Sequence, residues 1–275
     1  MPLYKYFSPD RSGVLEKCEL RVTPFSELND PFEAAPVFAV PDSEVLVSRL
    51  RKLVTETVDS RLPALDATRK AAMVEAEVAE HKARFLSEVS QPHHWENAAL
   101  DLQRKISSAW GTICLSESDD NLLMWSHYAH GHRGFVLGFD EHHHQFRVAR
   151  AVEYRPERPV VRQDESSPTE FFLRKAELWK YERERRVFME LGKCDVKKQT
   201  DDGLIHLLRI DPSSVVSVIL GSKVSKHLQS LAARAIGTKF FPRARLKIAI
   251  PHLSEFKVEI HDIGGGKESL LHGAK

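Results

Sequence analysis

From Gly111 to Ile263 the chain is a succession of short apolar runs bounded by turn residues, with only three helical stretches between them. The runs are GTICLS (111–116), GFVLGF (134–139), ARAVEY (149–154), RRVFMEL (185–191), LIHLLRI (204–210), VVSVILG (215–221), RLKIAI (245–250) and FKVEIHDI (256–263). They are rich in the β-branched and aromatic residues that pack on a pleated surface. Two more, LYKYFS (3–8) and ELRVT (19–23), precede them. Helices are expected near 120–130, 168–181 and 225–237, too irregularly placed for the strict strand–helix alternation of a doubly wound parallel sheet. The pattern predicts an α+β fold on a mixed, largely antiparallel sheet.

Residues 43–107 break this pattern with a block rich in Ala, Glu, Lys, Arg and Leu, in which Ala72, Ala76, Ala79, Ala83 and Leu86 recur at helical spacing. Pro63 separates a helix over about 43–61 from one over about 65–90, and QPHHWEN precedes a third segment. The block reads as a helical insertion, a subdomain or lid, within one domain of residues 1–263. The glycine-rich 264–275 reads as a flexible C-terminal tail, and its GGGKES precedes no helix of the kind a phosphate-binding fingerprint needs.

Forty basic and 39 acidic residues leave a formal net charge of +1, so no global field draws the chain to nucleic acid or to an anionic membrane. A charged ligand must be held locally. The three cysteines lie far apart without a CxxC, which argues for a reducing compartment, and MPLYKYFSPD lacks the apolar centre of a signal peptide. A cytoplasmic location away from membranes is expected.

Polar and aromatic chemistry concentrates in NLLMWSHYAHGHRGFVLGFD (121–140). Ser118 to Asp120 offer N-cap oxygens and Gly131 a stop, and on the helix between them Met124, Trp125, Tyr128 and Ala129 share one side, Leu123, His127 and His130 the other. Trp125 and Tyr128 suit either a core or a pocket wall. The histidines match no metal-ligand pattern, so no metal is assigned. In KAELWKYERERRVFMEL (175–191), strand geometry places Glu182, Glu184, Arg186 and Phe188 on one face. Such a carboxylate pair either holds a ribose hydroxyl beside a developing cation or forms a solvated ion-pair ladder. In FSELNDPFE, Asn29 and Asp30 are placed to order a turn before Pro31.

Together LYKYFS, LRVTPFSELNDPFE, ICLSESDDNLLMWSHYAHGHRGFVLGFD, the VEY strand and LWKYERERRV resemble the bacterial domain-of-unknown-function family 2971 over most of residues 3–190. More distantly, this order of blocks is similar to the ADP-ribosyltransferase fold. That resemblance implies a split sheet and NAD as co-substrate. It implies that Tyr4, Lys5 and Tyr6 line the nicotinamide ribose and that Tyr128 stacks on nicotinamide. It further implies that Glu184, with Glu182 beside it, stabilises the ribosyl cation. Asn29, Asp30, Ser116 and Trp125 join the cofactor-binding set, and Arg133, Arg183 and Arg186 are the candidate phosphate clamps. Lys5 stands where the fold usually has His or Arg, and no Ser-Thr-Ser motif is present.

The resulting expectation is an NAD-dependent ADP-ribosyltransferase-like enzyme acting on a protein or nucleic-acid acceptor, in which Glu184→Gln cuts NAD cleavage by about 10²-fold or more and leaves NAD binding and stability nearly unchanged. One alternative is a non-catalytic module that binds a ligand or partner. Another is a metal-dependent nuclease of phage defence, with Asp30, Glu33, Glu182 and Glu184 converging on a cation.

Overall fold

A computed structural model describes residues 1–35, 37–161, 170–201 and 203–263. The predicted tail 264–275 lies outside the described residues. Strands are β1 (Leu3–Phe7), β2 (Glu19–Pro24), β3 (Val37–Phe38), β4 (Trp110–Ser116), β5 (Phe135–Phe139), β6 (Arg150–Ala151), β7 (Glu153–Arg155), β8 (Val160–Val161), β9 (Arg174–Ala176), β10 (Glu184–Glu190), β11 (Val196–Thr200), β12 (Gly203–Arg209), β13 (Val215–Gly221), β14 (Arg245–Pro251) and β15 (Val258–Asp262). Helices are α1 (Val14–Lys17), α2 (Ser43–Arg61), α3 (Ala67–Val89), α4 (Pro92–Ala109), α5 (Leu122–His127) and α6 (Lys226–Gly237). None of these helices is long and apolar enough to cross a membrane.

The chain has an α+β fold on a mixed, largely antiparallel sheet ordered β11-β12-β2-β4-β1-β5-β13-β14-β15, with β10 on β4 and β6 on β10. Among the described residues its one parallel pair, β13 with β14, is joined through α6, as parallel neighbours require a crossover. β5 is central, and all five of its residues are buried. Alternate side chains therefore feed two cores. Leu137 and Phe139 join Leu3, Phe7, Leu220 and, from α6, Leu228 and Ala232. Val136 joins Tyr6, Ile219 and α5's Met124 and Trp125 on the other side.

β4 organises the site. β10 pairs with it along its whole length, from Glu184 opposite Ser116 to Glu190 opposite Trp110. β1 and β2 must then share its other edge, β2 at Gly111 and Thr112, β1 at Ser116. Between these points no residue of β1 or β2 pairs with Ile113, Cys114 or Leu115, and the sheet is split.

The helical block forms at the expected positions, but the stripe that α3 buries is Val74, Val78 and Val89, while Ala72, Ala76, Ala79 and Ala83 lie exposed. Valine removes more apolar area per residue from water, so it decides which face turns inward. α2 and α3 pack together through Leu50, Val58, Val74 and Val78, and α4 reaches the main body through Leu102 and Ile106 beside Phe25 and Phe172.

Three local expectations are corrected. The helix near 168–181 is, over its described part, two 3-10 turns (Glu170–Leu173 and Glu177–Glu182) around β9, because β9 pairs with β7 and Phe171, Phe172 and Leu173 are all buried side by side. Three consecutive buried side chains do not fit one stripe of an amphipathic helix. ARAVEY divides into β6 on β10 and β7 on β9. The cap of α5 is Asn121, whose Oδ1 accepts from Leu123 N at 2.9 Å and Met124 N at 3.1 Å, rather than a residue of 118–120.

Candidate functional site

The split in the sheet opens a cavity of about 250 Å³. β1 contributes Tyr4, Lys5 and Tyr6, β2 Arg21 and Thr23, β4 Cys114 and Ser116, and α5 with the turn after it Met124 and Tyr128. Asn29, Glu33, Lys175, Glu182 and Glu184 complete the wall. Tyr4, Lys5, Tyr6, Asn29, Ser116, Tyr128, Glu182 and Glu184 thus line one cavity, from segments up to 180 residues apart.

A hydrogen-bonded chain runs from the mouth to the floor. Exposed Asn29 donates Nδ2 to the Tyr128 hydroxyl at 3.0 Å, and Tyr128 donates to Glu182 Oε1 at 2.5 Å. Lys175 Nζ donates to Glu182 Oε2 at 2.7 Å and lies 3.5 Å from both Glu184 Oε2 and Glu33 Oε1. It also sits 4.7 Å from the centre of the Trp179 ring. Arg186, fully buried, grips Glu184 with Nε at 2.7 Å and Nη2 at 2.9 Å, donates Nη1 to Phe172 O at 2.7 Å and pairs with Glu33. A buried ion network of this kind persists only when each charge is paired and hydrogen-bonded.

Glu182 ends a 3-10 turn rather than lying in β10, because Arg183 takes a left-handed backbone (φ 47°) and the strand begins at Glu184. The two carboxylates still converge, through Lys175 rather than through strand alternation. Ser116 Oγ anchors the turn by donating to Glu182 O at 2.6 Å, and the Glu184 amide donates to the Tyr154 hydroxyl at 2.7 Å.

Burial works to raise the Glu184 carboxyl, but the Arg186 guanidinium outweighs it and holds Glu184 at about 2, well below the ordinary carboxylate range. Glu33 goes the other way: burial, with Glu184 nearby, raises it despite Arg186 and Lys175. Burial lowers the Lys5 ammonium, which donates to Cys114 O at 3.0 Å, on the strand whose free edge lines the split. Burial would lower Lys175 too, yet the three carboxylates prevail and raise it. Burial and the bond to Glu182 push the Tyr128 hydroxyl far up, so it is a donor at every physiological pH.

Because Glu184 is depressed when folded, its ion pair stabilises the fold fully above about pH 4.5 and is lost as pH falls toward about 2. The midpoint of thermal unfolding of Glu184→Gln is expected to fall less steeply than that of wild type between these values. Parallel curves would show that Glu184 contributes no acid sensitivity.

Five expected site residues lie elsewhere. Trp125 is fully buried, donates Nε1 to Asp119 O at 2.7 Å and packs edge-on against Tyr6, which makes it core. Arg133 is exposed in the loop before β5 and does not line the cavity. Arg186 has its donors committed to Glu184, Glu33 and Phe172, and is no phosphate clamp. Asp30 is buried beneath the loop, where Oδ1 accepts from Phe32 N at 2.9 Å. Arg183, the remaining clamp candidate, is exposed, and among the described residues its side chain reaches only Glu117, at 3.5 Å.

Asp30 therefore builds the turn, while Asn29 reaches across to Tyr128. Asp30→Ala is expected to cost about 0.5–2 kcal/mol of stability, as a lost capping bond does, and Asn29→Ala less than half as much. Chemical denaturation of both variants measures this, and equal losses would contradict the division of labour.

Sequence does not single out Lys175, the hub: in FFLRKAELW it stands next to Arg174, and nothing in the run tells which of the two cations is buried and paired. Among the described residues no group of three His, Cys, Asp or Glu side chains is placed to hold a metal ion. Glu33, Glu182 and Glu184 converge, as the nuclease alternative required, but on Lys175 and Arg186. The chain matches no protein-family model, no curated protein and no solved structure.

Proposed function

We propose that the protein binds NAD in the cleft of the split sheet and transfers its ADP-ribosyl group, releasing nicotinamide. The observation that carries this reading is the meeting of the first strand, Tyr128 and both acidic residues of Glu182-x-Glu184 in one cavity between β1 and β2. The ligand's charges suit the wall. Glu27, Glu33, Glu182 and Glu184 face Lys5, Arg21 and Lys175 on the described wall, and Arg21 is paired with Glu27, so the charge suits the cationic nicotinamide end of the ligand. At about 250 Å³ it lies just below the usual range for small-molecule sites, roughly 300–1,000 Å³, which leaves room for one end of a dinucleotide.

In the proposed reaction the ribose–nicotinamide bond breaks with its electron pair leaving on nicotinamide, and an acceptor's lone pair closes on the ribosyl carbon. Glu184, kept ionised by Arg186, supplies fixed negative charge to the developing cation. The contact with ribose is assigned to Glu182. Among the described residues its Oε1 is held only by the Tyr128 hydroxyl, which a ribose hydroxyl can replace, whereas Arg186 bridges both oxygens of Glu184.

Calorimetric titration with NAD and chromatographic measurement of released nicotinamide test the reading. Wild type is expected to bind and to turn over with a suitable acceptor or water. Tyr128→Phe is expected to slow release about tenfold with binding changed less than threefold. A non-catalytic module is favoured by one feature, that every oxygen of Glu182 and Glu184 already has a protein partner. Binding without release across protein, nucleic-acid and small-molecule acceptors would select it. Absence of both would end the NAD assignment.

A further inference from the structure

A second cavity, of about 280 Å³, opens beside β7 and β9, and Lys175 lines it as well as the first. Arg155, Arg158 and Arg174 stand on its wall with Phe32, a residue 58 % exposed. Phe32 closes a loop that the Asp30 bond fixes, so the ring is held out rather than merely left over. Arg158 lies over it, 5.7 Å from the centre, while its Nη2 donates to Ala35 O at 2.6 Å. Glu153 orients the other two guanidiniums, accepting from Arg155 Nε at 2.7 Å and from Arg174 Nη2 at 3.3 Å. Arg174 Nε is buried and, among the described residues, has no partner at all. That nitrogen is out of reach of solvent, so a ligand in the cavity meets Arg174 through the accessible Nη edge of its guanidinium, which Glu153 holds in place.

We propose that this cavity is a binding site for a nucleoside diphosphate, with the base stacked on Phe32 and the diphosphate oxygens taken by Arg158 and Arg174. Planar guanidinium forks match phosphate oxygens two at a time, and an aromatic ring held at a fixed angle accepts a base by stacking. Glu157 is the only acidic residue on the described wall, so a neutral or cationic ligand gains little there. The proposal does not rest on the transferase reading, since it concerns binding alone and other side chains.

Isothermal titration with ADP, adenosine and inorganic pyrophosphate tests it. ADP is expected to bind at least tenfold more tightly than adenosine or pyrophosphate. Arg158→Gln is expected to weaken ADP about tenfold, and Phe32→Ala to weaken ADP similarly while leaving pyrophosphate unchanged. Both are surface positions, so the variants should fold, which circular dichroism verifies. Tyr128→Phe, in the first cavity, is expected to leave ADP binding unchanged. No ADP binding would overturn the proposal, as would ADP binding indifferent to Arg158→Gln, adenosine as tight as ADP, or weakening confined to Tyr128→Phe. None of these outcomes depends on nicotinamide release, so this proposal and the transferase reading fail separately.

Discussion

Arg186→Met is expected to lower stability by about 3–5 kcal/mol and the thermal midpoint by roughly 10 °C, the largest effect of any single substitution outside the apolar core. The side chain is fully buried and joins three separate parts of the chain: Glu33 from the loop after β2, Glu184 from its own strand and the carbonyl of Phe172. Methionine fills the volume but leaves the Glu184 carboxylate in a low-dielectric interior with only Lys175 at 3.5 Å. The double variant Arg186→Met/Glu184→Gln should recover part of the loss, because the uncompensated charge goes with the arginine. A midpoint shift of less than about 3 °C in the single variant would mean that the network is not a structural joint.

Glu182→Gln is expected to reduce nicotinamide release by about 10²-fold or more while lowering stability by no more than about 1–2 kcal/mol. Gln keeps the shape and can still accept from Tyr128. Lys175 retains two carboxylates at 3.5 Å, so no buried charge is stranded. Glu184→Gln removes the same charge from the cleft but also breaks the fork to Arg186, so its loss of activity should come with a clear loss of stability. The expectation from sequence that Glu184→Gln spares stability is thereby revised. Comparing the two variants well below their midpoints, with NAD binding measured alongside release, separates chemistry from folding. Full activity in Glu182→Gln would remove it from the mechanism.

Much of the sheet could be read directly, because strands such as GFVLGF and VVSVILG are apolar runs of the right length with turn residues at both ends. The cleft's membership was legible too, wherever a residue sits on such a strand or next to an aromatic helix face. Legibility failed where one dihedral or one distant partner decides. The left-handed turn at Arg183 removes Glu182 from the strand, and no side-chain periodicity announces it. Arg186 looked like a phosphate clamp because its partner Glu33 lies 153 residues earlier, and only the folded chain reveals that the guanidinium is occupied. Trp125 and Tyr128 share a helix face, yet one is core and the other wall. That difference is set by the depth of the cleft rather than by residue type. FFLRKAELW read as helix because its buried aromatics carry no period by which to tell it from a strand-like turn.

The gap between β1 and β2 has a further meaning for solubility. An unpaired strand edge normally invites another extended chain to add to it, and proteins guard such edges with charge. Here the open edge of β4 faces inward, and the Lys5 ammonium takes the place a neighbouring strand's amide would have, bonding the carbonyl of Cys114. One lysine thus occupies a carbonyl that an added peptide strand would need.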